Sequence, residues 1–311
     1  MQSQVETATA RNSAQAPKRE RRRGSRGWSY TLTSWLGLMP FLVFCLLFEI
    51  LPAIIIIQGS FSDNNTGAPT LDNYKHMFSQ VGNLHAFQTS ISISIVTALI
   101  GGTIGGLAAY GAYNLRTRWL HNFLVGFSSI AANFAGVPLA FAFVATLGVT
   151  GFVTAAIQKL FHVNIYDLGF SMYQFWGLVI VYTYFQLPLM ILVTLPALSA
   201  LRPEWREAAT NLGASNFTFW RRVGLPILLP SLIAATMLLF ANSFGAFATA
   251  FALAQGNIPL VPILINFVVN GNVIVDFGLG NALAVGMIVV LLFAVTLYTV
   301  MLRRVNTWQG R

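Results

Sequence analysis

Six long apolar stretches, separated by short polar segments, organise this 311-residue chain. They run approximately over Leu32–Gln58, Phe87–Tyr113, Phe123–Gly148, Tyr173–Leu198, Ile227–Ala254 and Asn281–Leu302. A bilayer core about 30 Å thick needs roughly 20 apolar residues in a helix, so each stretch is long enough to cross. The pattern predicts an all-α membrane protein with about six transmembrane helices. Basic residues precede the first stretch, as in a signal peptide. Its apolar run is too long for that, and Gln58-Gly59-Ser60-Phe61 offers no small-x-small cleavage site, so a retained helix is expected. Two connecting segments are more than linkers. Residues 149–171 contain an amphipathic stretch, Val153–Phe161, suited to a membrane surface. Residues 258–276 hold an apolar run too short to span, interrupted by Asn266, Asn270 and Asn272, which predicts a re-entrant or surface-lying segment.

Composition agrees with a lipid solvent. The chain is 56% hydrophobic and 9% charged, against about 25% charged in soluble domains. Its net charge of +9 is concentrated at one end, because Arg11, Lys18, Arg19, Arg21, Arg22, Arg23 and Arg26 precede the first span. Residues 1–27 read as a basic, disordered cytoplasmic tail, and 28–311 as the transmembrane domain. Beside so apolar a chain, a tail of this kind points to a membrane rather than to nucleic acid.

The remaining basic residues set the orientation. With the N-terminus in the cytoplasm, the inner segments also hold Arg116, Arg118, Arg202, Arg206, Arg221, Arg222, Arg303, Arg304 and Arg311. The outer segments hold only Lys75 and Lys159. Lys and Arg accumulate on the cytoplasmic side, so both termini are expected there, together with residues 199–226.

That inner segment is the most specific part of the chain. Pro203 suits the first turn of a helix, where its missing N–H is not needed, and Glu204 lies near the positive end of the helix dipole. Trp205, Ala208, Ala209 and Leu212 share a face at helical spacing. Gly213 sits where a left-handed cap ends the helix. Ser215 can cap a second helix running to about Val223, which Pro226 is expected to stop before the next span. The local pattern is therefore helix, tight turn, helix. Glu207-Ala208-Ala209, three residues, Gly213, nine residues, then Val223-Gly224-Leu225-Pro226 resembles the EAA loop of binding-protein-dependent ABC permeases, with Val223 in place of Ile.

The resemblance implies the transmembrane domain of a type I ABC importer in a bacterial cytoplasmic membrane. It implies that Glu204, Glu207, Ala208, Ala209, Gly213, Leu225 and Pro226 belong to a coupling element docked on an ATPase subunit. The implied partners are two nucleotide-binding ATPase subunits, a second permease subunit (homologous or identical), an extracytoplasmic solute-binding protein and the bilayer. ATP and Mg2+ would be held by the ATPase subunits, with no cofactor on this chain. The residues agree: a P-loop needs Gly-Lys-Ser/Thr, and none of Lys18, Lys75 and Lys159 follows a glycine. The plain structural alternative for the loop is an amphipathic hairpin lying on the inner membrane surface, which Trp205, Phe217, Phe219 and Trp220 would allow.

Other chemistry is sparse. His76, His85, His121 and His162 form no metal-binding spacing, lone Cys45 sits in an apolar run, and no catalytic or metal site is expected. Polar side chains inside spans are costly and often mark a pathway. Asn133, Tyr184, Gln186, Asn242, Ser243 and Phe244 are therefore candidates to face the solute route, with interhelical hydrogen bonding as the alternative. Pro138 and Pro188 are candidate kinks. Glu49 is either a snorkelling acid or part of the outer mouth. Gly101/Gly105 and Gly102/Gly106 form overlapping G-x-x-x-G pairs, which predict close helix packing within one subunit or between two. A passive channel or secondary carrier has no use for the EAA loop, and a membrane enzyme would need a reactive cluster that is absent.

The substrate is read from Ser243–Ala250 and Leu260–Ile265, which resemble spermidine/putrescine permeases. The outer acids Asp63, Asp72, Asp167 and Asp276 suit a cation. A polyamine is the first expectation, with iron(III), thiamine and phosphonate carried by similar members.

Overall fold

The computed structural model describes residues 37–64, 66–115, 117–254, 257–271 and 275–309. The expected 1–27 tail, Arg116 and Asn272 lie outside the described residues. Two compact units are distinguished, Met1–Ile54 and Ile55–Arg311. The described part of the first belongs to one helix, α1 (Gly37–Ser60), which continues into the second unit. No residue of 37–54 is buried. The helix is apolar on every side, as expected of a membrane span. It widens through one π-turn at Leu46–Ile50, which carries Glu49.

The second unit is almost wholly helical, apart from an isolated antiparallel bridge between Ser62 and Pro69. In order come α2 (Asp72–Ser79), α3 (Val81–Tyr113), α4 (Arg118–Asn133), α5 (Val137–Leu147), α6 (Phe152–Phe161), α7 (Phe175–Ser199), α8 (Pro203–Asn211), α9 (Asn216–Phe219), α10 (Leu225–Phe244), α11 (Ala248–Ala254), α12 (Val261–Asn270) and α13 (Phe277–Gln309). Among the described residues, six helical stretches are long and apolar enough to cross a bilayer, as the apolar pattern predicts.

Helices α3, α7 and α10 pack on one another, α4 lies on α7, and α13 lies on α10. Small residues allow the closest contact. A Cβ on Gly101 would stand 2.8 Å from Gln186 Cβ, and one on Gly105 2.7 Å from Met190 Cβ. This pair therefore packs within one chain, against α7, which answers the question left by the G-x-x-x-G spacing.

Two expected spans are interrupted. Phe123–Gly148 is split into α4 and α5 at Phe134–Gly136, where Gly136 takes φ 77°, ψ −150°. Few residues other than glycine adopt that conformation. Pro138 then opens α5 rather than kinking a continuous helix. The apolar helical stretch at this place is Val137–Phe161, set further along the chain than the expected span. Ile227–Ala254 breaks at Gly245–Phe247, between α10 and α11. Non-helical backbone within an apolar layer must find partners inside the protein. Tyr182 Oη donates to the Ala246 carbonyl at 2.8 Å, and the Gly136 N–H donates to Thr249 Oγ1 at 2.8 Å. The second bond ties the two breaks together.

The connecting segments also take shape. The amphipathic stretch is α6. The short apolar run is α12, a ten-residue helix packed against α13 and α3. Its first N–H, on Val261, donates to the buried Ser90 Oγ at 2.9 Å. Near the Ser62–Pro69 turn, Asn64 accepts from the Gly278 N–H and donates to Asp276, closing the start of α13.

Candidate functional site

The loop from Pro203 to Pro226 is built as its residues dictate. Pro203 is the first residue of α8, with Glu204 in the first turn. Leu212 caps the helix and Gly213 follows at φ 77°. The Gly213 N–H donates to the Thr210 carbonyl and the Ala214 N–H to the Ala209 carbonyl, each at 2.9 Å. These two bonds form a Schellman turn, which satisfies carbonyls that the helix end would otherwise orphan. Ser215 Oγ then accepts from the Thr218 N–H at 3.2 Å, capping α9.

One expectation about this loop fails. Pro226 does not stop the second helix. The chain stays helical from Asn216 to Phe244 through a π-turn at Trp220–Gly224, in which the Leu225 N–H reaches back to the Trp220 carbonyl. A wider turn just before the proline absorbs the lost donor and the ring's bulk.

The loop is anchored on one side and bare on the other. Trp205 and Trp220 pack against the buried Leu198, Leu201 and Leu228. The Trp220 ring meets Tyr110 edge-on at 5.0 Å, and the Arg202 guanidinium lies 6.0 Å over Trp205. Beyond Trp205 the expected helix face turns outward: Ala208 is exposed and Leu212 is 87% exposed. Phe217 is 73% exposed. Glu204 and Glu207 are also exposed and pair with no described residue. The loop thus offers two apolar side chains, two alanines and two carboxylates without a described partner on a capped helix-turn-helix.

The six candidate pathway residues have different surroundings. Gln186 is fully buried, its Nε2 donating to the Leu239 carbonyl at 3.0 Å, while its Oε1 has no partner among the described residues. Ser243 Oγ and Thr97 Oγ1 share a hydrogen bond of 2.9 Å, and Phe244 stacks on Phe240. In this structure Gln186 and Ser243 serve contacts between helices of one chain, whereas the Phe240–Phe244 stack lies within α10. Tyr184 is half-buried against Phe143. Asn133, at the end of α4, is exposed and donates to the Ser129 carbonyl. The Asn242 side chain is exposed and makes no hydrogen bond with any described residue; like the Tyr184 hydroxyl and Gln186 Oε1, it keeps unspent polar capacity, and of the three it is the exposed one. The sequence reading missed Gly136 and Thr249, which join the two helix breaks. The glycine two residues before Pro138 was the available signal.

Comparison with known proteins identifies the arrangement. The family described as "Binding-protein-dependent transport system inner membrane component" matches residues 101–307. The spermidine/putrescine transport system permease protein PotC of Haemophilus influenzae is 25% identical over 270 residues, covering 86% of this chain and 95% of the relative. The sulfate transport system permease protein CysT of Salmonella typhimurium is 29% identical over 176 residues, covering 56% and 59%. A chain in the crystal structure of a bacterial alginate ABC transporter, in complex with its alginate pentasaccharide-bound periplasmic protein, shares the fold. Its TM-score is 0.69 at 16% identity, over 90% of this chain and 98% of that one. Six apolar helices, the extent of the family match and this shared fold lead to one assignment: the chain belongs to the binding-protein-dependent inner membrane transport components, the permease subunits of ABC importers.

Proposed function

We propose that this permease subunit carries its solute along a route shared with a second permease and takes its drive from ATPase subunits docked on the Pro203–Pro226 loop. The observation that carries the reading is the bare face of that loop. Leu212 and Phe217 stand open on the same short loop as Glu204 and Glu207, and an apolar patch rimmed by polar groups marks a contact site. Here the scaffold is a Schellman turn followed by a capped helix. Ala208 and Ala209 let another backbone approach closely, and Glu204 and Glu207 supply charge at the rim.

In this reading ATP and Mg2+ stay on the partners. Their closure draws the paired loops together and opens the route outward, solute enters from a docked binding protein, and hydrolysis restores the inward-facing state. The charge asymmetry supports a cytoplasmic position for the loop and both termini. A polyamine is the proposed solute, supported by the resemblance across Ser243–Ala250 and by the extent of the match to the spermidine/putrescine permease.

The test is co-purification of the permease with its ATPase. Leu212→Asp and Phe217→Asp alter fully presented side chains, so insertion and folding are expected to be normal. Removing an interface anchor commonly costs about 2 kcal/mol, or roughly 30-fold in affinity. ATPase recovery and solute-stimulated hydrolysis are expected to collapse in both variants. Wild-type recovery and stimulation in both would refute docking here. The ligand carried by the companion binding protein tests the substrate: a bound polyamine supports the assignment, and a bound oxyanion overturns it.

A further inference from the structure

An open groove of about 710 Å3 runs along α3, α7 and α10, from Leu99 and Met237 to Tyr110, Trp220 and Leu225 at the loop end. Leu99 to Tyr110 spans about 17 Å of helix, close to the depth of one leaflet. The walls are almost entirely hydrocarbon. Three threonines line them: Thr103 Oγ1 donates to the Leu99 carbonyl, Thr236 Oγ1 to the Leu232 carbonyl, and Thr194 Oγ1 has no partner among the described residues. Tyr110 and Trp220 sit at the loop end, as aromatic side chains do at a membrane interface.

The chemistry changes abruptly at that end. Arg221 and Arg222 occupy the π-turn between the groove residues Trp220 and Leu225. Both are exposed, and neither forms an ion pair or hydrogen bond with any described residue. Glu204 and Glu207, the acids of the same loop, do not reach them. An apolar trough of leaflet depth, with two unpaired arginines in the turn that follows its end residue Trp220, matches a molecule with a long hydrocarbon chain and an anionic head. A second apolar helix laid in the trough would leave both guanidinium groups unanswered. Arginine pairs closely with phosphate oxygens, and basic sites between membrane helices attract anionic headgroups.

We propose that this groove is an anionic phospholipid site, with an acyl chain lying along α3 and α10 and the headgroup phosphate held by Arg221 and Arg222. The site adjoins the loop that carries the free apolar face. Its occupancy stiffens the π-turn joining that loop to α10, so lipid charge bears on the coupling element. The assignment stands independently of whether the loop docks an ATPase.

The experiment is native mass spectrometry of the full chain in mild detergent, titrated with phosphatidylglycerol or phosphatidylcholine. Wild-type protein is expected to retain phosphatidylglycerol at least about tenfold better, from two charge contacts at the membrane surface. The double variant Arg221→Gln/Arg222→Gln is expected to bind both lipids alike. Gly106→Leu tests the trough itself. A Cβ there meets only Met190 and Leu232 side-chain atoms at 3.7 and 4.0 Å, so the longer side chain enters the groove without forcing the helices apart. It is expected to lower retention of both lipids. Equal retention of the two lipids by the wild type refutes the proposal, as does unaltered lipid binding in Gly106→Leu. Loss of a permease dimer in Gly106→Leu, with lipid adducts unchanged, would assign the groove to a second copy of the chain instead.

Discussion

Replacing Gly213 separates the backbone chemistry of the Pro203–Pro226 loop from every packing effect. A Cβ at this position meets nothing within 4 Å, so an added side chain has space. The whole penalty comes from φ 77°, which costs a non-glycine residue roughly 1–2 kcal/mol. Helix α8 has little to resist that penalty. It is nine residues long, it has no fully buried residue, and Trp205 is its main anchor. The two Schellman bonds contribute about 1 kcal/mol each. The strain is therefore released by local opening of the turn, not by unfolding of the spans. For Gly213→Ala, about 1 kcal/mol corresponds to roughly fivefold more open turn. Gly213→Asn is expected to lie nearer the wild type, because asparagine tolerates this region, and the β-branched Gly213→Val to exceed Ala. Hydrogen exchange of peptides covering 207–214, measured on protein in lipid nanodiscs, reads the opening directly. The Gly213 and Ala214 amides should exchange faster in the order Gly, Asn, Ala, Val, while the thermal midpoint of the whole domain is unchanged. Solute transported per ATP hydrolysed should fall in the same order if the turn transmits force. Wild-type exchange in Gly213→Val, or a fall of several degrees in the global midpoint of Gly213→Ala, would refute this account of the turn.

Other expectations follow from single contacts. Gln186→Leu removes one hydrogen bond, worth about 1 kcal/mol, and also an unpartnered buried oxygen whose burial costs about as much or more. Thermal stability and uptake should both stay near wild type; a loss above about 2 kcal/mol would mean that Oε1 is satisfied. Asn242→Leu alters an exposed polar group within an apolar span and is expected to change uptake while leaving the monomer's stability intact, and normal uptake would remove Asn242 from the route. Ser215→Ala should cost about 1 kcal/mol of α9 stability, seen as faster exchange at the Thr218 amide. In a Cys45→Ala background, Lys159→Cys should react with an impermeant thiol reagent from outside intact cells and Asn211→Cys should not, and the reverse pattern would invert the orientation.

What was legible in the sequence is what depends on neighbours along the chain. Pro203, Gly213 and Ser215 act through their own φ, a missing N–H and a side-chain oxygen reaching three residues ahead, so the helix-turn-helix of the loop follows from local chemistry alone. The existence of six apolar stretches depends only on length and transfer energy, which position in space does not alter. Of the interruptions, that at Phe134–Gly136 had only Gly136 ahead of Pro138 as a local signal, and that at Gly245–Phe247 was not legible. A continuous apolar run hides a break whose cost is met by partners far along the chain, as when the Gly136 N–H reaches Thr249 Oγ1 and Tyr182 Oη reaches the Ala246 carbonyl. For the same reason the polar residues of the spans look alike in one dimension: Gln186 is tied to a carbonyl 53 positions away, whereas Asn242 is left without a described partner. Sequence alone determined the class of the protein, its spans and the local build of the Pro203–Pro226 loop. Tertiary packing decided which polar groups are spent inside the chain and which are left to meet a partner, because hydrogen bonds between helices depend on distance in space and not on order in the chain.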